Sequence, residues 1–346
     1  MQPWHQTHLG SMGLSGAGLL IVEATAVEPE GRITPGCVGL YDEPSETAMR
    51  QTIQHVRQIS DMPIGLQLGH AGRKASSDVP WRKGVPLPPG DTGWQTVAPS
   101  AIAHGRGEPV PLALDETVLV RIINSFRQAT KRACALRYDL IEIHMAHGYL
   151  MHQFLSPVAN QRTDEFGGTL ENRMRYPLQV FNAVKEEIAA SGTTIALGVR
   201  LSASDWLGHI SPAIDCWTID QSVTFCQQLQ AAGCDFIDVS SAGISPLQQI
   251  AIEPGYQVPF AAQLKQSLEI PVTAVGLITD PVQAEQIVSD GMADAVMLGR
   301  GFLADPRWPW RAASALGATL DAPAPYWRCI PTDTPNPFSE TTYGTR

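Results

Sequence analysis

Short apolar, β-branched runs recur along this chain with helix-like stretches between them, and this repeat restricts the fold more than any other feature. Seven runs are predicted strands, at residues 18–23, 64–68, 139–143, 195–200, 235–240, 271–275 and 294–298. The intervening predicted helices include 46–60, 115–136, 169–190, 218–232, 260–267 and 281–290. Strands that alternate with helices indicate β-α units and a parallel sheet. We therefore predict an α/β fold, a (β/α)8 TIM barrel that forms a single domain over residues 1–346.

The strand count departs from that fold by one. A closed barrel of this type has eight strands, whereas only seven β-α units are readable. The Pro-rich tail at 322–346 is predicted to be irregular and offers no eighth strand, so we expect the missing first strand to lie before Met1. A barrel without it exposes two sheet edges. The expectation is a shortened barrel that is less stable than a complete one.

Residues 76–111 interrupt the β-α pattern. This segment is rich in Pro, Gly and Trp and is too long for an ordinary connection. We predict a lid-like excursion over the strand ends that shapes a substrate pocket.

Composition excludes several classes of partner. A formal net charge of −10 disfavours nucleic acid and anionic membranes, because both require clustered Lys and Arg. The sequence does not open on a basic stretch followed by an apolar one, so we expect no leader peptide, and no apolar run approaches the roughly 18 residues of a membrane span. The six cysteines form no Cys-x-x-Cys pair, which argues against zinc and iron–sulfur sites. We expect a cytoplasmic protein that acts on a small molecule.

Barrel enzymes build their sites at the carboxyl ends of the strands, and the second predicted strand ends near two candidates. Gln67 is suited to hydrogen-bond a planar heterocycle, and Lys74 to reach a substrate as a mobile cation. For either residue alone, a satisfied polar side chain or a solvated lysine is the simpler interpretation.

The third predicted strand leads into His144, His147 and Tyr149. Two imidazoles three residues apart can donate hydrogen bonds to one oxygen and polarise a carbonyl, and Tyr149 can then supply a proton. Core packing is the simpler interpretation of the isolated pair, and half of a zinc site is a weaker one, because no third ligand is evident.

The later strands end in cationic and glycine-rich residues. Arg200 can neutralise charge on a reduced heterocycle, although a buried salt bridge also accounts for it. Gly276, Gly299 and Arg300 follow the last two strands, where barrels often hold phosphate. Neither a G-x-G-x-x-G nor a Walker A motif is present, so no separate dinucleotide fold or P-loop is indicated.

Taken together, these strings resemble the Old Yellow Enzyme family, most closely its xenobiotic-reductase and YqjM-like branch. The matching strings are Trp4-His5 and those at 18–27, 67–74, 144–150, 160–173, 198–202 and 298–306. They follow the family's order along nearly the whole chain, and the string at 162–173 is highly specific.

The resemblance implies an FMN-dependent ene-reductase that takes electrons from NADPH or NADH. His144 and His147 would hold the activating oxygen of an enone, and Tyr149 would protonate Cα after hydride reaches Cβ. The residues that match the family's cofactor contacts are Ala24, Gln67, Arg200, Gly276, Gly299 and Arg300.

The resemblance also implies a homo-oligomer, a dimer or a tetramer, in which a C-terminal residue reaches a neighbouring site. Trp327 is the main candidate, beside Tyr326 and Arg328. The family's first strand lines the flavin, so its expected absence predicts weaker FMN binding.

Other functions remain open from the sequence. A relative of dienoyl-CoA reductase or trimethylamine dehydrogenase would carry a cysteine cluster and a further domain. A flavin-poor barrel could act as a scaffold, because open sheet edges can pair with another chain. A Schiff-base aldolase is weaker still, since no predicted strand contains a lysine.

Overall fold

The computed structural model describes residues 1–208, 210, 214–331, 333–339 and 341. Its strands are β1 (Leu20–Ala26), β2 (Ile64–Gly69), β3 (Val97–Ala98), β4 (Leu112–Ala113), β5 (Leu140–Met145), β6 (Ala196–Ser202), β7 (Phe236–Ser240), β8 (Val272–Ala274) and β9 (Ala295–Val296). Its α-helices are α1 (Pro3–Gly13), α2 (Glu43–Arg57), α3 (Glu116–Ala135), α4 (Leu150–Leu155), α5 (Leu170–Ser191), α6 (Ile219–Ala231), α7 (Val258–Ser267), α8 (Pro281–Ser289), α9 (Arg300–Ala304) and α10 (Trp308–Leu316).

Seven of the strands form one parallel sheet in the order β1-β2-β5-β6-β7-β8-β9. Each strand pairs with the next strand of that sheet along the chain, as β-α units require, while β3 and β4 form a separate two-stranded sheet. The predicted α/β barrel-like fold is confirmed, and each of the seven predicted strands is present. The last is shorter than predicted, at Ala295–Val296.

The pairing register determines which side chains meet inside the curved sheet. Gln67 of β2 lies opposite Glu142 of β5, and Arg200 of β6 lies opposite Asp238 of β7. Alternate residues of a strand face opposite sides, so the residues between these polar ones face the helices. Ile141 and Ile143 are completely buried there.

Local sequence signals explain where several helices begin and end. Asp42 caps α2 by accepting a hydrogen bond from the Ser45 amide, and Thr169 caps α5 in the same way through Asn172. Gly192, in the left-handed conformation, ends α5. Within the described ranges, no helix is long and apolar enough to cross a membrane.

The end strands β1 and β9 border the same internal space. Residues of both strands line a cavity of about 520 Å³ whose floor is formed by inward side chains of the strands between them. The cavity therefore lies at the centre of the curved sheet.

The segment at 76–111 packs on the loop that follows β1. The indole of Trp94 donates a hydrogen bond to the Glu30 carbonyl at 2.9 Å, and the guanidinium of Arg32 lies 5.0 Å from the centre of the Trp94 ring. This contact places part of the predicted lid beside Arg32, which lines the candidate site.

Candidate active site

A narrow cleft and the central cavity meet at one residue of β1. The cleft is lined by Ala24, Thr25, Ala26, Gly31, Arg32, Ile33, Cys37, Gly69, His70, Ala71, His144 and Tyr149. Ala24 also lines the cavity. The β1–β2 pairing shifts register between Val22 and Thr25, an irregularity of the kind that re-aims side chains beside active sites. Ala24 thus forms a wall common to both spaces.

His144 lines the cleft, and His147, which is not among the described lining residues, lies in contact with His144. Nε2 of His144 is 3.2 Å from Nδ1 of His147, and the rings are nearly perpendicular. The Ala146 amide donates to Nδ1 of His144 at 3.1 Å, and Nε2 of His147 lies 2.6 Å from the Ser240 hydroxyl. The structure therefore brings together the two predicted imidazoles and joins them by a hydrogen bond.

Both imidazoles are neutral at physiological pH. Burial lowers the pKa of each well below its usual value, and the positive charges of Arg200 and Lys74 lower both further. A neutral imidazole has one N–H donor and one acceptor nitrogen, so the orientation of each hydrogen bond fixes the position of its proton.

Tyr149 packs against His144 and follows the turn that carries His147. The centres of the Tyr149 and His144 rings are 4.9 Å apart at an angle of 84°. Burial raises the pKa of Tyr149 to about 12, so its phenol keeps a proton at neutral pH.

Two left-handed turns meet beside these residues. His147 and Gly148 have φ values of 57° and 72°, and Ala242 and Gly243 have values of 69° and 97°. A Cβ atom on Gly148 would lie 2.0 Å from the Gly243 carbonyl oxygen, so this close approach requires glycine. We call the pair of turns at 147–148 and 242–243 the paired turns.

Lys74 joins the paired turns. Its ammonium donates to the His147 carbonyl at 2.7 Å and to the Gly243 carbonyl at 2.9 Å, and it lies 5.2 Å from the centre of the Tyr149 ring. Burial lowers the pKa of Lys74 to about 8. The sequence predicted a mobile cation, whereas the structure holds this ammonium against backbone carbonyls.

A second buried contact supports the same turn from the other side. The Gly148 amide donates to Nδ1 of His152 at 2.9 Å, and Nε2 of His152 lies 2.9 Å from Asp205. Asp205 also accepts hydrogen bonds from Ser156 and the Trp217 amide, at 2.7 and 2.8 Å. His152 and Asp205 therefore fix the backbone on which His147 is carried.

The cavity floor contains an unusual set of buried polar groups. Gln67 donates to Glu142 at 2.6 Å, and Nε of Arg200 lies 3.2 Å from Asp238. Among the described residues, Oε2 of Glu142 has no hydrogen-bond partner, and Nε of Arg200 and Oδ2 of Asp238 face each other as this ion pair without a hydrogen bond. Burial, followed by the charge of Asp238, raises the pKa of Glu142 to about 8. Buried polar atoms that lack a hydrogen bond and border a cavity of this size fit a polar ligand.

The predicted phosphate residues lie at the ends of β8 and β9. Gly299 lines the cavity and precedes α9, which begins at Arg300, and a Cβ atom on Gly299 would meet open space. Gly276 has a φ of 132° and follows Val275, another lining residue. The open backbone at Gly299 fits an anionic group at this edge of the cavity, whereas a Cβ atom on Gly276 would lie 3.0 Å from Nε2 of Gln257.

Trp327 lies elsewhere. Its indole donates to the Ala322 carbonyl at 2.9 Å within the tail, and it is absent from the described residues that line the cleft and the cavity. Its role at a neighbouring subunit's site stays a prediction.

Sequence reasoning missed several residues of the site. Glu142, Asp238, Ser240, His152 and Asp205 all contribute buried hydrogen bonds or charges. A carboxylate inside an otherwise apolar strand, as at Glu142 and Asp238, was the available signal. The zinc alternative gains no support, since the part of the chain that is described contains no group of three potential ligands.

Comparison with known proteins gives a consistent result. The family described as NADH:flavin oxidoreductase / NADH oxidase matches residues 5–318. An NADH:flavin oxidoreductase of Gibberella zeae is 42% identical over 92% of this chain and 78% of its own length. An NADPH dehydrogenase of Geobacillus thermodenitrificans is 38% identical over 95% of this chain and 88% of its own length.

Solved structures of similar fold superpose on this chain. Morphinone reductase in complex with tetrahydroNAD superposes with a TM-score of 0.69 at 28% identity, over 93% of this chain and 83% of that one. Two longer solved chains that share the fold are matched over 46% and 42% of their own length.

Proposed function

The chain belongs to the NADH:flavin oxidoreductase / NADH oxidase family and is an FMN-dependent NADH or NADPH oxidoreductase, and from this premise we propose that it reduces activated C=C bonds, such as those of enones. The observation that carries the proposal is the neutral pair of His144 and His147 with Tyr149 packed against it.

The imidazole pair suits the oxygen of a conjugated carbonyl. Hydride addition at Cβ places negative charge on that oxygen, and N–H donors aimed at it stabilise the transition state. Because both rings are neutral, each has one N–H to donate to an uncharged carbonyl oxygen. A carboxylate or phosphate ligand would be better served by charged groups.

We assign the cofactor to the central cavity. Ala24, Gln67 and Arg200 would contact the ring system, and Gly276, Gly299 and Arg300 would hold the phosphate. The support is the set of buried polar atoms on the cavity floor that lack a hydrogen bond and the open backbone at Gly299. When bound and reduced by NADH or NADPH, FMN would supply the hydride.

The chain's own residues complete the reaction. His144 and His147 orient the carbonyl and stabilise its developing charge. Tyr149 keeps its proton at neutral pH and donates it to Cα, which balances the hydride gained at Cβ. Ala24, as the wall common to cleft and cavity, would set how closely the alkene approaches the cofactor.

The test measures separately the two half-reactions, which are reduction of the bound flavin by NADPH and its reoxidation by an enone. His144→Ala and His147→Ala should leave reduction of the FMN-loaded protein by NADPH nearly unchanged and slow its reoxidation by cyclohex-2-enone about 100-fold. His55→Ala, an exposed position on α2, is the matched control. Equal slowing of both half-reactions would contradict the proposal, and loss of a bound metal in the variants would favour the zinc alternative.

The flavin-poor scaffold is not favoured. The relatives matched over most of their length are named as dehydrogenases and oxidoreductases. Absence of yellow colour after incubation with FMN would reopen that alternative.

A further inference from the structure

A continuous chain of hydrogen bonds passes through the histidine pair. The Ala146 amide donates to Nδ1 of His144, so the proton of this neutral ring is on Nε2. That N–H points to Nδ1 of His147 at 3.2 Å. His147 then carries its proton on Nε2 and donates to Ser240 at 2.6 Å.

The chain ends at Gln257. The Ser240 hydroxyl lies 3.4 Å from Oε1 of Gln257, which is its acceptor in this arrangement. The Gln257 amide is itself fixed, because its Nε2 donates to the Val275 carbonyl at 2.8 Å. Each donor from the Ala146 amide to the Ser240 hydroxyl therefore has an acceptor within the protein.

This arrangement conflicts with the binding of a carbonyl oxygen by two imidazoles. Nδ1 of His147 is an acceptor here, so His147 offers no N–H on the side that faces His144. Two donors converge only if the His147 proton is on Nδ1, and Nε2 then needs a donor of its own. Ser240 is the side chain hydrogen-bonded to that nitrogen.

We propose that Ser240 is a positioning residue whose hydroxyl lets His147 exchange tautomers when an oxygen ligand enters. Without a ligand, Ser240 accepts from Nε2–H of His147 and donates to Gln257. With a ligand, the hydroxyl hydrogen turns to the bare Nε2, and His147 presents Nδ1–H beside Nε2–H of His144. One proton leaves Nε2 and one reaches Nδ1 through exchange with solvent, so the net charge is unchanged. The inference rests on the proposed function.

A hydroxyl suits this role because it both donates and accepts, whereas a carboxylate only accepts and an ammonium only donates. Neighbouring side chains also influence whether the Ser240 hydroxyl donates to Gln257 or to His147. Ser241 donates to the same Oε1 of Gln257 at 2.6 Å, so the two serines share one acceptor. Ser240, Ser241 and Gln257 are all at most 5% exposed, which limits the access of competing water.

Two substitutions should therefore shift the equilibrium in opposite directions. Gln257→Met removes the acceptor that holds the Ser240 hydrogen away from His147, so the ligand-binding tautomer is favoured. Ser241→Ala leaves Oε1 of Gln257 entirely to Ser240 and favours the ligand-free tautomer. General loosening of the site would weaken binding in both variants.

The affinity experiment uses FMN-loaded protein titrated with cyclohex-2-enone, an acceptor-only probe. We expect Gln257→Met to bind about threefold to tenfold more tightly and Ser241→Ala more weakly by a similar factor, the range of one hydrogen bond. In a Ser240→Ala background, Ser241→Ala should have no further effect, whereas a Ser240→Thr background should preserve it. Equal effects of Ser241→Ala in both backgrounds would overturn the proposal.

Direct observation comes from ¹⁵N NMR of labelled histidine side chains. Wild-type His147 should show an unprotonated Nδ1 without ligand and a protonated Nδ1 at saturating cyclohex-2-enone. If the enone does not bind at all, the proposed function fails, and the ligand-free spectra still decide the role of Ser240. Gln257→Met should then shift His147 towards Nδ1–H, and an unchanged tautomer would contradict the inference.

Discussion

Tyr149 has the position and the protonation state of a proton donor. It packs at 4.9 Å from the His144 ring centre, and its raised pKa keeps the phenol protonated. We predict that Tyr149→Phe slows enone reoxidation of the reduced protein by about 100-fold or more, the usual contribution of a general acid. Enone affinity should change little, because the two histidines hold the oxygen.

The measurement is single-turnover reoxidation, with Tyr41→Phe as the control, because Tyr41 is half-buried and lines neither the cleft nor the cavity. A variant that reoxidises at the wild-type rate would show that the proton comes from another group.

Glu142 gives the protein a characteristic dependence of stability on pH. Its pKa is raised to about 8 in the folded state from an ordinary value of 4.5, so the folded state binds an additional proton between these values. The protonated Glu142 side chain therefore contributes to stability in full below pH 4.5, and this contribution is lost as the pH rises through about 8.

We predict that flavin-free wild-type protein loses stability relative to Glu142→Gln between pH 7 and pH 8, by up to about 1.4 kcal/mol per pH unit. Gln keeps an amide oxygen for the bond from Gln67 but does not titrate. Urea unfolding of both proteins across this range is the measurement, and parallel curves would refute a buried protonated Glu142.

Several of the predicted site residues border the cleft or the cavity because their types are tied to strand ends. His144, Tyr149, Gln67 and Arg200 lie where the β-α pattern placed them. The bonding of Lys74 and the contribution of Ser240 were not predictable. Both depend on contacts with segments about 70 to 170 residues away, which no local pattern encodes.

The paired turns form a supersecondary element that Lys74 holds together. Its ammonium bonds one carbonyl from each turn, and the Gly148 and Gly243 backbones touch. We predict that Lys74→Met lowers the free energy of unfolding by about 1 to 3 kcal/mol, the range for hydrogen bonds of a charged donor. It should also weaken enone binding, because the His147 backbone loses a contact.

Lys185→Met is the control, since Lys185 also donates to a backbone carbonyl, that of Ala232, but lies exposed on the outer helices. Chemical denaturation and enone titration measure the two effects. If Lys74→Met weakens binding no more than Lys185→Met does, Lys74 contributes nothing to the position of His147.

At the level of elements, helices and central strands were predicted to within a few residues. For example, α3 at Glu116–Ala135 corresponds to the prediction of 115–136. The short helices α4 and α9 were not predicted. Each has only five or six residues, and α4 is buried on every side, so neither has amphipathic periodicity.

Across the whole molecule, the central cavity links the two end strands of the sheet. Residues of β1 and β9 both line it, although they lie at opposite ends of the strand order. A ligand that fills the cavity would contact both strands. We predict that FMN slows amide hydrogen exchange in β1 and β9 more than in α3 and α5, which pack on the outside.

Hydrogen exchange with and without saturating FMN measures this difference. Slowing confined to α3 and α5 would place the cofactor outside the cavity. The expected homo-oligomer, with Trp327 near a neighbouring site, stays a prediction that light scattering of wild type and Trp327→Ala would examine.

The neutrality of the histidine pair has a calorimetric consequence. Binding of an uncharged carbonyl between two uncharged rings causes no net uptake or release of protons. The tautomer exchange moves one hydrogen from Nε2 to Nδ1 of His147 and leaves the number of bound protons unchanged. The measured heat of enone binding at pH 7 should therefore be the same in phosphate and in Tris, whose ionisation enthalpies differ greatly. The affinity should also vary little with ionic strength, since no ion pair is made or broken.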